Sequence, residues 1–283
     1  MQKQILIPTD YSKNAYNAIM YAFELFKNDH CTFHIFHSYF LARSAQGNIM
    51  YPEPEPFEYD EVARKSEEEM ARLKAKLSMV MDNPGHTIKY DQKFGTIIDL
   101  LEEKVKREKI DLVIMGTRGV TDDKDVAYGR NSVNVMENIR ECPVLAIPRT
   151  ISYKRLKEIV FPTNFKSIYN DREMGVLIDL ARLENSAIQI LHIGKESDLS
   201  EKQRENRKQL ETYFKDLPLG FHWMEKVGVK EGVLSFVDQR KSGMIAFVNS
   251  KHWFFGSVFS NPLVKKLGVH ATVPIMALHD SDD

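Results

Sequence analysis

The strongest constraint on the fold is an internal repeat, because a unit that occurs twice in one chain must fold twice in the same way. Ile5-Leu6-Ile7-Pro8-Thr9-Asp10 returns as Ile159-Val160-Phe161-Pro162-Thr163-Asn164, and Phe36-His37 returns as Leu191-His192. Further along, Lys93-Phe94-Gly95 returns as Lys226-Val227-Gly228. Pro143-Val144-Leu145-Ala146-Ile147 returns as Pro274-Ile275-Met276-Ala277-Leu278. The order is kept throughout, so the 283 residues divide into two units, expected at 1–150 and 151–283. The first unit is longer, and most of its excess falls between His37 and Gly95. There Tyr51-Pro52-Glu53-Pro54-Glu55-Pro56 has no counterpart and reads as an extended loop.

Within the first unit, strand and helix patterns alternate. Residues 4–8 and 32–39 are short apolar runs of strand type, and residues 111–115 and 144–147 are apolar enough for strands buried on both faces. Between them, Tyr16, Ile19, Met20, Phe23 and Phe26 recur at helical spacing after Asp10 and Ser12, residue types that start helices. Met70, Leu73, Leu77 and Val80 mark a second helix, and Ile97, Ile98, Leu101 and Val105 a third. Alternation of this kind predicts a parallel sheet covered by helices on both sides, with its ligand crevice at the carboxyl ends of the strands.

Composition narrows the class further. The chain is 43% hydrophobic and 28% charged, which excludes collagen-like and wholly disordered proteins. A net charge of -1 gives no broad attraction to nucleic acid or to an anionic membrane, so neither is expected as a partner. No run of apolar residues is long enough for a membrane span, and the first residues lack a signal-peptide pattern. Cys31 and Cys142 are far apart and form no Cys-x-x-Cys pair; both are expected as small core residues in a reducing, cytoplasmic setting. His34 and His37 face opposite sides of a strand and cannot share a metal, so no metal site is expected. The charges between Glu67 and Leu77 predict a solvated helix face.

The stretch with most chemical content is Gly116-Thr117-Arg118-Gly119 followed by Gly129-Arg130-Asn131-Ser132. It follows a strand and leads into a helix. Glycines allow the backbone to approach a ligand closely, and the helix beginning near Asn131 adds unpaired amides and the positive end of its dipole. A polyphosphate suits such a turn, although tight turns alone would also use glycines. Asp122, Asp123 and Asp125 would either help hold Mg²⁺ on a bound triphosphate or form a solvated loop face.

Ile7-Pro8-Thr9-Asp10-Tyr11-Ser12 at the first strand, Gly-x2-Gly-x9-Gly before the last helix of the unit, and Cys142-Pro143-Val144-Leu145 on the last strand resemble the universal stress protein family. The resemblance covers both units as a tandem pair. It implies two doubly wound parallel sheets of five strands each, of the adenine nucleotide alpha hydrolase-like type. Members of the family dimerise through the last strand. A tandem chain is therefore expected to pack as a pseudo-dimer, pairing residues 144–147 with 275–278. In nucleotide-binding members the glycine loop holds phosphates and ribose, and the Asp after the first strand sits by the adenine. This resemblance implies Pro8, Asp10, Gly116, Gly119, Gly129, Asn131 and Ser132 as site residues, with Ser38 touching adenine through its backbone. Arg130 stands where the family places Ser or Thr. Its guanidinium would either hold phosphate through charge-assisted bonds or obstruct the site.

The second unit departs from this pattern. Asn164 replaces Asp10, Asn249 falls at the position matching Gly116 by sequence spacing, and Trp253-Phe254-Phe255 stands where the first unit has a polar loop. Gly256 and Ser257 come too soon for the nine-residue loop, so an aromatic packing surface is expected instead. The resulting expectation is a regulatory adenine-nucleotide (ATP) binding module of the stress response, with nucleotide taken by the first unit only. Two other classes stay open: a nucleotide-free interaction or dimerisation protein with a vestigial glycine loop, and a slow ATP hydrolase. For the last, the residues offer no convincing base or nucleophile, and further association into a homodimer is left open.

Overall fold

The structure, a computed structural model, describes residues 2–40, 56–117, 130–249 and 273–280. In the first half, strands and helices alternate as β1 (Lys3–Pro8), α1 (Lys13–Leu25), β2 (Cys31–Tyr39), α2 (Pro56–Ser78), β3 (His86–Phe94), α3 (Ile97–Glu108), β4 (Leu112–Gly116), α4 (Arg130–Asn138) and β5 (Val144–Ile147). The second half follows with β6 (Glu158–Pro162), α5 (Asp171–Glu184), β7 (Ala187–Ile193), α6 (Glu201–Tyr213), β8 (Leu219–Met224), α7 (Val229–Arg240), β9 (Met244–Asn249) and β10 (Ile275–His279).

The ten strands of the described residues join one sheet in the order β3-β2-β1-β4-β5-β10-β9-β6-β7-β8. Pairing is parallel within each half, because every crossover carries a helix. The halves meet through one antiparallel pair, with Ile275 opposite Ala146, Met276 opposite Leu145 and Ala277 opposite Val144. This is the expected pseudo-dimer seam. Alternate residues feed two apolar layers: Ile5, Ile7, Phe33, Ile159, Phe161 and Met276 line one face, and Leu6, Val113, Val160, Ile245 and Ala277 line the other. Each layer holds side chains from both halves, so the core is continuous across the seam.

Local chemistry sets the helix starts. Ser12 caps α1, its hydroxyl accepting from the Ala15 amide at 3.1 Å. Helix α2 ends at Ser78, two residues short of the apolar pattern, and Val80 beyond it is exposed. Its charged face carries exposed pairs such as Arg64–Glu68 at 2.5 Å, each worth little to stability. Strand β3 has no apolar run to mark it, because it lies at the sheet edge and shows polar residues to water. Cys31 and Cys142 are buried free thiols. Burial pushes Cys31 up to about 12 and raises Cys142 as well, which leaves little nucleophilic thiolate. Among the described residues no helix is long and apolar enough to cross a membrane. Asp122, Asp123, Asp125, Tyr51, Trp253, Phe254, Phe255, Gly256 and Ser257 lie outside the described residues.

Candidate functional site

In the first half the chain runs outward from β1 through β2 to β3, then returns to β4 on the other side of β1. The crevice between the carboxyl ends of β1 and β4 is the switch point of the sheet, where doubly wound folds bind ligands. Pro8, Asp10, Gly116 and the start of α4 all gather at this edge.

Pro8 is buried at the end of β1, beside Phe36. The next four residues form a rigid turn. The Thr9 hydroxyl accepts from the Tyr11 amide at 3.0 Å, and Asp10 Oδ1 accepts from the Ser12 amide at 3.0 Å. Between them Tyr11 adopts a left-handed backbone, φ 62°, a conformation that costs a non-glycine residue about 1 kcal/mol and needs compensation. His37 supplies part of it: its Nδ1 donates to the Thr9 carbonyl at 2.6 Å, and its ring packs on that of Tyr11 at 4.4 Å. The Tyr11 hydroxyl donates to the Ser66 carbonyl on α2 at 3.2 Å, which ties that helix to the turn. Burial raises the Tyr11 phenol to about 12. Burial also lowers His37, against the opposing pull of its bond to Thr9 and the charge of Asp10. Ser38, next on β2, is half-buried and lies opposite Lys93.

On the β4 side, Gly116 ends the strand, and the Thr117 amide donates to the Ile147 carbonyl at 3.1 Å. The Ser132 hydroxyl donates to the Thr117 carbonyl at 2.8 Å in a buried bond. The first turn of α4 is thus fastened to the end of β4, and the two ends of the glycine loop are held together. Asn131 is exposed in that turn. Gly119 and Gly129 lie outside the described residues, and Arg130 is described only as the first residue of α4.

The second half repeats the turn in detail. The Thr163 hydroxyl accepts from the Phe165 amide at 2.9 Å, and Asn164 Oδ1 accepts from the Lys166 amide at 2.8 Å. Phe165 takes φ 61°, and His192 Nδ1 donates to the Thr163 carbonyl at 2.8 Å. Thr9, Tyr11 and His37 therefore belong to the site's framework. The recurrence of Thr and His at matching places in the repeat was their signal in the sequence. Here, however, α6 closes over the turn: Asn206 Nδ2 donates to the Phe165 carbonyl at 2.8 Å and Gln203 Nε2 to the Asn164 carbonyl at 2.7 Å. The Trp223 ring packs against His192 at 5.1 Å, and Phe165 is fully buried. Sheet register also corrects the sequence spacing. Leu112 lies beside Ile5 and Met244 beside Ile159, so Val248, and not Asn249, occupies the place of Gly116.

Alternating strands and helices, with a switch point between the carboxyl ends of β1 and β4, place the chain among the doubly wound α/β folds. Residues 1–148 match the model of the universal stress protein family, and the chain belongs to that family. A universal stress protein from Archaeoglobus fulgidus is similar in fold over 98% of this chain and 98% of its own, at 14% identity and a TM-score of 0.71. A functionally unknown protein from Pseudomonas aeruginosa is similar over 99% of this chain and 93% of its own, at 11% identity and a TM-score of 0.57. No curated protein matches the sequence.

Proposed function

We propose that this universal stress protein is a regulatory module that takes one adenine nucleotide, ATP, in residues 1–150, with residues 151–283 as a structural partner. The observation that carries this reading is the contrast between the two copies of the strand-end turn. In the first, Asp10 lies half-buried two residues past Pro8, at the carboxyl end of the strand that pairs with β4, and the sequence after β4 carries Gly116, Gly119 and Gly129. In the second, side chains of α6 already donate to the turn's carbonyls and an aromatic ring covers it. In this reading Asp10 and the backbone at Ser38 face the base, and the glycine loop and the start of α4 face the phosphates.

A second reading, an interaction protein with a vestigial loop, draws support from two bonds in the first half. The side of Gly116 that lacks a Cβ is filled by Asn14, and the Ser132 hydroxyl proton is already directed to Thr117. Calorimetry with ATP separates the two. The binding reading expects one site per chain, and a loss of tenfold or more, about 1.4 kcal/mol, in Gly119→Val. Arg130→Ser should weaken ATP more than adenosine, because it removes a charge-assisted bond to phosphate. Absence of binding supports the second reading, and two equivalent sites overturn the asymmetry.

A further inference from the structure

Helix α4 spans nine described residues, too few for a helix to be stable without tertiary packing, and its last four carbonyls have no partner within the helix. The second half supplies partners for one of them. The Met136 carbonyl accepts from Asn249 Nδ2 at 3.2 Å and from His279 Nε2 at 3.1 Å. These donors stand at the ends of β9 and β10, across the seam from α4. Just beyond the helix, Arg140 Nη2 pairs with Asp280 at 2.5 Å, and Arg140 Nη1 donates to the Asn249 carbonyl at 3.4 Å.

His279 is itself held from behind. Its Nδ1 lies 3.2 Å from Glu173 Oε1, and its backbone amide donates to Glu173 Oε2. A carbonyl can only accept, so Nε2 carries a proton toward Met136. The ring thus donates at the negative end of α4, and Glu173 sits in the first turn of α5. Arg172, next to Glu173, reaches across to the Ile110 carbonyl at 2.9 Å.

We propose that Asn249 and His279 are positioning residues for α4: by fixing its C-terminal end they set where its N-terminal end presents amides to phosphate. This rests on the nucleotide-binding reading above. Seam formation alone does not require such donors, since the β5–β10 pair and the shared core already join the halves. The two ends of α4 are instead held by different halves, Ser132 to Thr117 at one and Met136 to Asn249 and His279 at the other.

The test uses the full chain with Asn249→Asp and, separately, His279→Gln. Asn249→Asp keeps size but removes the donor and sets a carboxylate oxygen against the Met136 carbonyl. Arg240→Ala, which breaks a pair with Glu158 on the far side of the second half, is the control for general destabilisation. Amide hydrogen exchange is read across residues 130–138, and affinity is read for ATP and for adenosine. The expected result for Asn249→Asp is exchange about tenfold faster in α4 and ATP affinity about fivefold weaker, with adenosine changed less and the control unchanged in both. Unmodified protein that binds ATP, with both variants matching it in affinity or in α4 exchange, overturns the inference alone. Unmodified protein that binds no ATP overturns the nucleotide reading, and this inference with it.

Discussion

Gly116 and Asn14 are in direct contact: a Cβ built on Gly116 would lie 2.8 Å from Asn14 Nδ2 and 3.0 Å from the Asn14 backbone carbon. The glycine is needed there for space, so that the first turn of α1 can lie against the end of β4. The second half, with Val248 in that place, starts its helix a turn later, at Asp171 after Pro162 where the first half has Lys13 after Pro8. Gly116→Ala must push α1 away and should cost about 1–3 kcal/mol, as overpacking of a tight contact does. A urea midpoint equal to that of the unmodified chain would show that α1 moves freely.

The repeat made the two-fold organisation legible, because Pro8 and Pro162 mark equivalent strand ends and the runs at residues 144–147 and 275–278 mark the seam. Strand β3 was not legible, since an edge strand such as His86–Phe94 carries its periodicity in polar residues. Site residues were only partly so. Asp10 and Gly116 stand out by type, whereas the roles of Thr9, Tyr11 and His37 depend on a left-handed backbone at Tyr11 that no residue preference announces. The one-residue displacement from Asn249 to Val248 arises because Gly228 caps α7 where Thr96, and not Gly95, stands before α3, so a spacing counted from the two glycines starts one residue out of step.

Ser132→Ala removes the buried bond to the Thr117 carbonyl and leaves that oxygen without its side-chain donor. A lost buried hydrogen bond of this kind costs about 1–3 kcal/mol. The melting temperature should fall, and ATP affinity should fall with it if the loop's ends need to be held together. An unchanged melting temperature would mean that the loop's closure does not use this hydroxyl.

His34 gives the fold a measurable acid sensitivity. It is buried at 1% exposure with Nε2 bonded to Gln4 Oε1 at 2.9 Å; burial, then the charges of Lys104 and Lys89, lower its pKa from 6.5 to about 4. Above pH 6.5 both folded and unfolded chains are neutral at this site, and its contribution is fully present. Between pH 6.5 and 4 the unfolded chain takes up a proton that the folded chain refuses, so stability falls as pH falls through that window. Urea unfolding at several pH values should show this slope in the unmodified chain and a flatter one in His34→Gln. Parallel curves for the two would remove His34 as the cause.

The Glu173–His279 pair should weigh heavily in the stability of the second half, because it fastens α5 to β10 within that half. Both side chains are almost fully buried, and Glu173 accepts from the ring and from the backbone amide of the same histidine. Glu173→Ala strands both donors away from water, which for a buried pair costs about 3–5 kcal/mol. Glu173→Gln keeps one acceptor oxygen and should cost less. Because each partner's loss leaves the other uncompensated, Glu173→Ala with His279→Ala should destabilise by less than the two single changes added together, with a coupling above about 1 kcal/mol. Chemical denaturation of the four proteins measures that coupling directly, and strict additivity would show that the two residues stabilise the fold independently.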